Sequence, residues 1–175
     1  MTVHVRPLRA EDAPALRALL EATGVFTSVE LEAAMHDVEA GSDEETLHGY
    51  RFRVAEDDGT AVGFTCYGRA WFSDGTWDLF WIAVDPARQR AGVGGSLLAA
   101  AEEAASAEEG RMMLAETASK PSYEAARRFY RRNGYSEIAR IPDFYAEGDD
   151  KIVYAKPLGP GSALPAPAPR TRVGR

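Results

Sequence analysis

The chain has 175 residues and a formal charge of −7, from 20 Lys+Arg against 27 Asp+Glu. That length implies one domain, large enough to bury its apolar surface without disulfide or metal staples. The single cysteine, Cys66, excludes an internal disulfide and a multi-cysteine zinc site, and His4, His36 and His48 lack metal-motif spacing. No apolar run approaches the ~20 residues of a membrane span. Residues 1–7 lack the apolar core of a signal peptide. The expectation is a soluble cytoplasmic protein without a membrane partner. Its acidic balance also argues against nucleic acid, which wants a basic surface.

Val3, Val5 and Leu8 mark a short first strand. Leu16, Leu19 and Leu20 recur at helical spacing, so residues 11–22 read as a helix that Gly24 ends. Thr27 with Glu30 is a capping-box pattern before a second helix over 28–40. Residues 41–43 break it. Tyr50, Phe52 and Val54 alternate with Arg51 and Arg53 in a half-buried strand, and Asp57-Asp58-Gly59 is a hairpin turn signal. Strands follow over 61–71 and 76–84, joined by Ser73-Asp74-Gly75. After Pro86 comes a glycine-rich turn, then an alanine-rich helix over 94–108 that Gly110 stops. Residues 111–116 form a short strand. Pro121 leads into a helix over 122–132 that ends on Asn133-Gly134. Two last strands span 135–141 and 151–156, around Gly148-Asp149-Asp150. This order predicts an α/β fold, a mixed sheet with helices on its faces.

From Pro157 onward the chain holds five of its ten prolines, no acid, and Arg170, Arg172 and Arg175. That predicts a folded unit over 1–158 and a disordered basic tail over 159–175. With three arginines and no acids in the tail, the folded unit carries −10 against −7 for the whole chain.

The informative local feature is a strand ending at Val84, then Gly92-Val93-Gly94-Gly95-Ser96 opening a helix. Glycines let backbone approach a ligand closely. Unpaired amides at a helix start attract anions, by up to ~2 kcal/mol in good geometry. Arg88 and Arg90 flank the turn and can contact phosphate. The alternative is a plain tight turn. A dinucleotide fingerprint is incomplete, because Leu97 holds the third glycine position, although Glu116 lies 22 residues past Gly94. A Walker loop lacks its lysine: Gly95 directly precedes Ser96.

Gln89-Arg90-Ala91-Gly92-Val93-Gly94 resembles the Q/R-x-x-G-x-G/A signature of the GNAT superfamily of acyl-CoA N-acyltransferases. Residues 81–86 resemble its fourth strand, and Phe129-Tyr130 through Gly134-Tyr135 its FYxxxGF segment. The resemblance covers residues 1–158. It implies a GNAT fold whose fourth and fifth strands splay apart. It implies an acetyltransferase that takes acetyl-CoA as acyl donor. The donor would be held by Ile82, Ala83, Val84, Arg88, Gln89, Arg90, Ala91, Gly92, Val93, Gly94, Gly95 and Ser96. The backbone of Ile82 and Val84 would pair with its pantetheine arm like an added strand. It also implies that Tyr130 gives a proton to the departing sulfur and contacts the cofactor. Seven residues before Tyr130, where the family often has asparagine, stands Tyr123, which either substitutes in that contact or leaves it absent.

Acyl transfer to an amine needs a base more than an acid. Deprotonating an alkylammonium near pKa ~10.4 at neutral pH costs about 4–5 kcal/mol, against about 2 kcal/mol for a thiol near ~8.5. Two carboxylates qualify, Asp78 and Glu116, with water as the remaining option. Asp78 sits six residues before Val84, the spacing of the glutamate base in some GNAT members. That even separation puts both side chains on one face of the strand. Glu116 ends the fifth strand. The bland alternatives are an exposed Asp78, a loop-capping Glu116 and a core Tyr130 beside Phe129.

Trp71 and Phe72, beside a turn, read as an acceptor pocket wall together with Asp78 and Glu116. Nearby acids, Asp74 and Asp143 included, suit a cationic amine. Other aromatics in acceptor-binding regions are Phe26, Tyr67, Trp77, Phe144 and Tyr145. Cys66 reads as a buried small hydrophobe. The expected function is N-acetylation of a small amine or amino-acid-like metabolite by direct attack in a ternary complex. The alternatives are acetylation of a protein N-terminus or lysine, and a non-catalytic acyl-CoA sensor. A homodimer stays open.

Overall fold

In chain order the elements are β1 (His4–Arg6), α1 (Ala13–Thr23), α2 (Ser28–Gly41), β2 (Arg51–Asp57), β3 (Thr60–Arg69), β4 (Thr76–Val84), α3 (Val93–Ala107), β5 (Met112–Ala118), α4 (Glu124–Arg132), β6 (Ser136–Ala146) and β7 (Asp149–Pro157). The computed structural model describes residues 3–41, 49–89, 91–159 and Leu164. Arg90, His48, the break at Ser42-Asp43 and nearly all of the expected tail lie outside the described residues.

Local chemistry sets most boundaries. α1 buries Leu16, Leu19 and Leu20, and Gly24 ends it in the left-handed region at φ +62°. Thr27 and Glu30 form the expected capping box. The Glu30 carboxylate accepts from Thr27 N at 2.7 Å, and Thr27 Oγ1 accepts from Glu30 N at 3.3 Å. Asp58 and Gly59, at φ +49° and +77°, make a two-residue turn that joins β2 to β3. At two helix ends the residues differ from expectation. Glu109, not Gly110, takes positive φ after α3. A Cβ at Gly110 would meet Ala105 O at 2.6 Å, so close packing demands that glycine. After α4, Gly134 alone is left-handed.

The sheet has seven strands in the order β1-β2-β3-β4-β5-β7-β6. Every neighbouring pair is antiparallel except β4 and β5. That parallel pair runs only from Thr76↔Met112 to Leu79↔Ala115. β4 continues to Val84 and β5 to Ala118, so the sheet forks beyond Leu79 and Ala115. α3 and α4 cover one face through Leu98, Ala101, Ala105 and Tyr130, against Tyr67, Trp77, Leu79, Met113 and Ala115. α1 and α2 cover the other through Leu16, Leu20, Met35 and Val38, against Phe52, Val54, Phe64, Cys66 and Ala83.

One expectation is overturned here. The β3–β4 register passes from Tyr67↔Leu79 directly to Cys66↔Trp81, so Phe80 is an extra residue, a β-bulge. Phe80 and Trp81 consequently both join the α1/α2 core. The bulge reverses the alternation, and Asp78 and Val84 lie on opposite faces despite their even separation. Val84 packs with Val93 and Leu97 on the α3 side.

Candidate active site

The turn expected to hold the donor begins where β4 ends. The Asp85 side chain accepts from Ala87 N at 2.8 Å and turns the chain over Pro86-Ala87-Arg88. Gly92 then opens α3 at φ +82°, and no side chain caps the helix. A Cβ at Gly92 would meet nothing within 4 Å, so its glycine serves the left-handed backbone and leaves the approach open. A Cβ at Gly94 would come within 3.1 Å of the Phe129 ring, so that glycine lets α4 close onto α3. At Gly95 the nearest atom is Asn133 Oδ1, 3.9 Å away. An uncapped helix start with open glycines fits the pyrophosphate of an acyl-CoA, and its first-turn amides would hold it. Beyond Leu79 the edge of β4 has no partner from β5, which leaves the backbone over Ile82–Val84 able to accept an added strand.

The expected donor-binding side chains divide. Arg88 bonds through Nη1 to Asp57, which is almost fully buried at the end of β2, so it ties the turn to the β2–β3 hairpin. Gln89 Nε2 donates to Val84 O at 3.4 Å, and Ser96 Oγ to Gly92 O at 3.3 Å. The side chains of Val93 and Ala83 are buried in the core. Ala91 is exposed, and Ile82 and Val84 are half-buried.

Two carboxylates meet at the fork. Asp78 pairs with Leu114, and Glu116 lies two residues further along β5 on the same face. Burial pushes the Asp78 carboxyl above its ordinary value, the nearby Glu116 charge adds to this, and Lys151 opposes it. Glu116 is about half exposed and sits 2.5 Å from Lys151 Nζ. Tyr50 borders the same region. Burial raises its phenol, with Asp37, Cys66 and Asp78 adding to the effect.

Tyr130 lies on the opposite, α3/α4 face. It is 6% exposed and packs against Tyr135 and Tyr154, with both pairs of ring centroids 5.7 Å apart. Burial raises its hydroxyl well above the usual tyrosine range. Phe129 is less buried and leans on the start of α3. Phe129 thus packs only partly against the core that encloses Tyr130. The Tyr123 hydroxyl donates to Glu30 Oε1 at 2.8 Å. Trp71 and Phe72 stand out at the β3–β4 turn, 67% and 104% exposed. Trp71 shares with Gly49, Arg51, Arg69 and Trp77 a shallow cavity whose lining includes neither Asp78 nor Glu116. Cys66 is buried as expected, and burial raises its thiol.

Sequence reasoning missed Tyr50, Lys151 and the second role of Glu30. The only signal for Lys151 was its place straight after the Gly148-Asp149-Asp150 turn. No helix among the described residues is long and apolar enough to cross a membrane.

Comparison with known proteins agrees with this geometry. The family described as "Acetyltransferase (GNAT) domain" matches residues 48–137. No curated protein matches the chain. Among solved structures, a GNAT-family protein from Desulfovibrio desulfuricans is 38% identical, with TM-score 0.86 over 90% of this chain and 100% of its own. The ribosomal-protein-S18-alanine N-acetyltransferase from Escherichia coli is 22% identical, with TM-score 0.71 over 93% and 99%. The yncA protein from Salmonella typhimurium, solved with acetyl-CoA, is 21% identical, with TM-score 0.70 over 95% and 99%. The forked sheet, the glycine-opened helix and the matched sequence together establish that this chain belongs to the GNAT family of acetyltransferases.

Proposed function

We propose that the chain acetylates a primary amine, a small amine or amino-acid-like metabolite, by direct attack within a ternary complex. As a GNAT acetyltransferase it uses acetyl-CoA as acyl donor. The donor supplies an activated thioester. The single observation that carries the reading is the division of groups across the fork. Asp78 and Glu116 face the α1/α2 side, while Tyr130 faces the α3/α4 side. A base on the amine and an acid on the sulfur belong on opposite sides of the carbon between them.

Asp78 takes the proton of the incoming ammonium. Its raised affinity for protons brings it closer to the amine it serves. Glu116 attracts that ammonium. Tyr130, held protonated by burial, gives a proton to the leaving thiolate. The amides at the start of α3 hold the pyrophosphate, and Arg88 keeps the turn before them in place through Asp57. The similarity to the S18-alanine enzyme is below 25% identity and carries the fold alone, so a protein acceptor remains the second reading.

Release of free thiol from acetyl-CoA across a panel of amines tests this. Turnover with small primary amines is expected. Tight acetyl-CoA binding without turnover on any acceptor would replace the enzyme with a sensor.

A further inference from the structure

Lys151 is the third residue of β7 and pairs with Ala118, two residues beyond Glu116 on the same face of β5. The two side chains are therefore diagonal neighbours across the strands. Lys151 Nζ lies 2.5 Å from Glu116 Oε2 and 4.6 Å from the centroid of the Phe144 ring. For a lysine this side chain is deeply sunk, at 17% exposure. A carboxylate on one side and an aromatic face on another is how proteins grip an alkylammonium.

The ring is held there deliberately. Between Ile141↔Lys151 and Ala146↔Asp149 the β6 strand makes an excursion that carries Phe144 and Tyr145. Asp143 sits in it at φ +52°, a conformation that costs on the order of 1 kcal/mol and persists only where its surroundings enforce it. Here Asp143 Oδ1 accepts from Gly148 N at 2.7 Å, and Asp150 Oδ1 accepts from Asp143 N at 3.1 Å. Asp149 Oδ1 accepts from Ser119 N and Lys120 N at 3.0 and 3.1 Å, which ties the hairpin to the end of β5. A half-exposed ion pair is worth only ~0–1 kcal/mol. That is a small return for a strained, multiply bonded loop.

We propose that Lys151 is an internal occupant of the acceptor's ammonium site, held by Glu116 and Phe144 until a primary alkylammonium displaces it. This rests on Asp78 and Glu116 being the acceptor face. It narrows the acceptor to an ammonium on an unbranched aliphatic stem, the shape of the side chain that stands in for it. Lys151 competes with every acceptor and sets the threshold affinity. Bulky branched amines fit the slot less well.

Lys151→Ala vacates the clamp in the full chain. The probe is n-propylammonium, the group of atoms that the substitution removes, with binding followed by calorimetry and by tyrosine and phenylalanine ring shifts. The variant is expected to bind it at least tenfold more tightly than the unsubstituted protein, and Glu116→Gln in the same chain should abolish that gain. Equal affinity with and without Lys151, or a gain that survives Glu116→Gln, overturns the proposal. Lys151→Ser serves the same comparison if the alanine variant fails to fold. Thiol release from acetyl-CoA with n-propylamine is read separately. Binding gained without turnover keeps the clamp and removes the proposed acetylation of this amine.

Discussion

Tyr130 and Asp78 are both shifted upward by burial, with opposite consequences for catalysis. Tyr130 stays protonated across the physiological range and is available as an acid. Tyr130→Phe should therefore cut turnover by ~10²-fold or more while acetyl-CoA affinity changes little. Equal losses in rate and affinity would make it a packing residue. Asp78 must lose its proton to act as a base. Its folded-state value lies above its unfolded one, so any stability it lends is present at low pH and drains as pH rises through the folded value. The same shift places the acid limb of kcat/KM above the ordinary aspartate value of ~3.9. Asp78→Asn should remove that limb. An unchanged limb in the variant would transfer the base role to Glu116 or water.

At the scale of elements, Glu30 links the start of α2 to the far side of the fork. Its carboxylate accepts from Thr27 N and Thr27 Oγ1 at 2.7 Å each, and from Tyr123 OH at 2.8 Å. Burial pushes its acidity down, yet these three bonds outweigh burial and leave it below the usual carboxylate range. The stability it lends is then present above the unfolded glutamate value of ~4.3 and lost as pH falls through the lower folded value. Glu30→Ala should cost about 1 kcal/mol for the cap alone, read as a lower urea midpoint. Tyr123→Phe should cost less, because the capping box survives it. A larger loss in Tyr123→Phe than in Glu30→Ala would mean that the cross-fork bond outweighs the cap. The β4 bulge belongs to this scale as well. It turns Asp78 toward the α1/α2 side without altering the ends of the strand.

For the whole molecule, the packing of Leu158 bears on where the working unit ends. Leu158 is 5% exposed, and its amide donates to Arg111 O at 2.8 Å, which seals the open end of β5. A chain stopped after Gly159 should melt at the same temperature as the full chain and keep its acetyl-CoA turnover. A chain stopped before Pro157 should lose the Met112↔Pro157 pairing and melt lower. Loss of activity in the chain stopped after Gly159 would give the basic tail a functional role.

The strands, the helices, the Asp58-Gly59 turn, the Thr27–Glu30 cap and the glycine-opened helix were all legible along the chain. Each depends on backbone preferences that act over a few residues, and the element order followed from them. The resemblance to GNAT proteins rested on the same kind of local run, in Gln89–Gly94 and Phe129–Tyr135. The facing of Asp78, the commitment of Arg88 to Asp57, the reach of Tyr123 to Glu30 and the clamp on Lys151 were decided only in three dimensions. Tyr123 and Glu30 are 93 residues apart, and Arg88 and Asp57 are 31 apart. No local preference encodes such a pairing. The bulge at Phe80 is a matter of register between two strands, so a parity count along one strand could not reveal it. Sequence therefore determined the fold and the donor turn, whose chemistry is backbone and local. Tertiary structure decided which charges meet at the fork, because that depends on which distant side chains the folded sheet sets side by side.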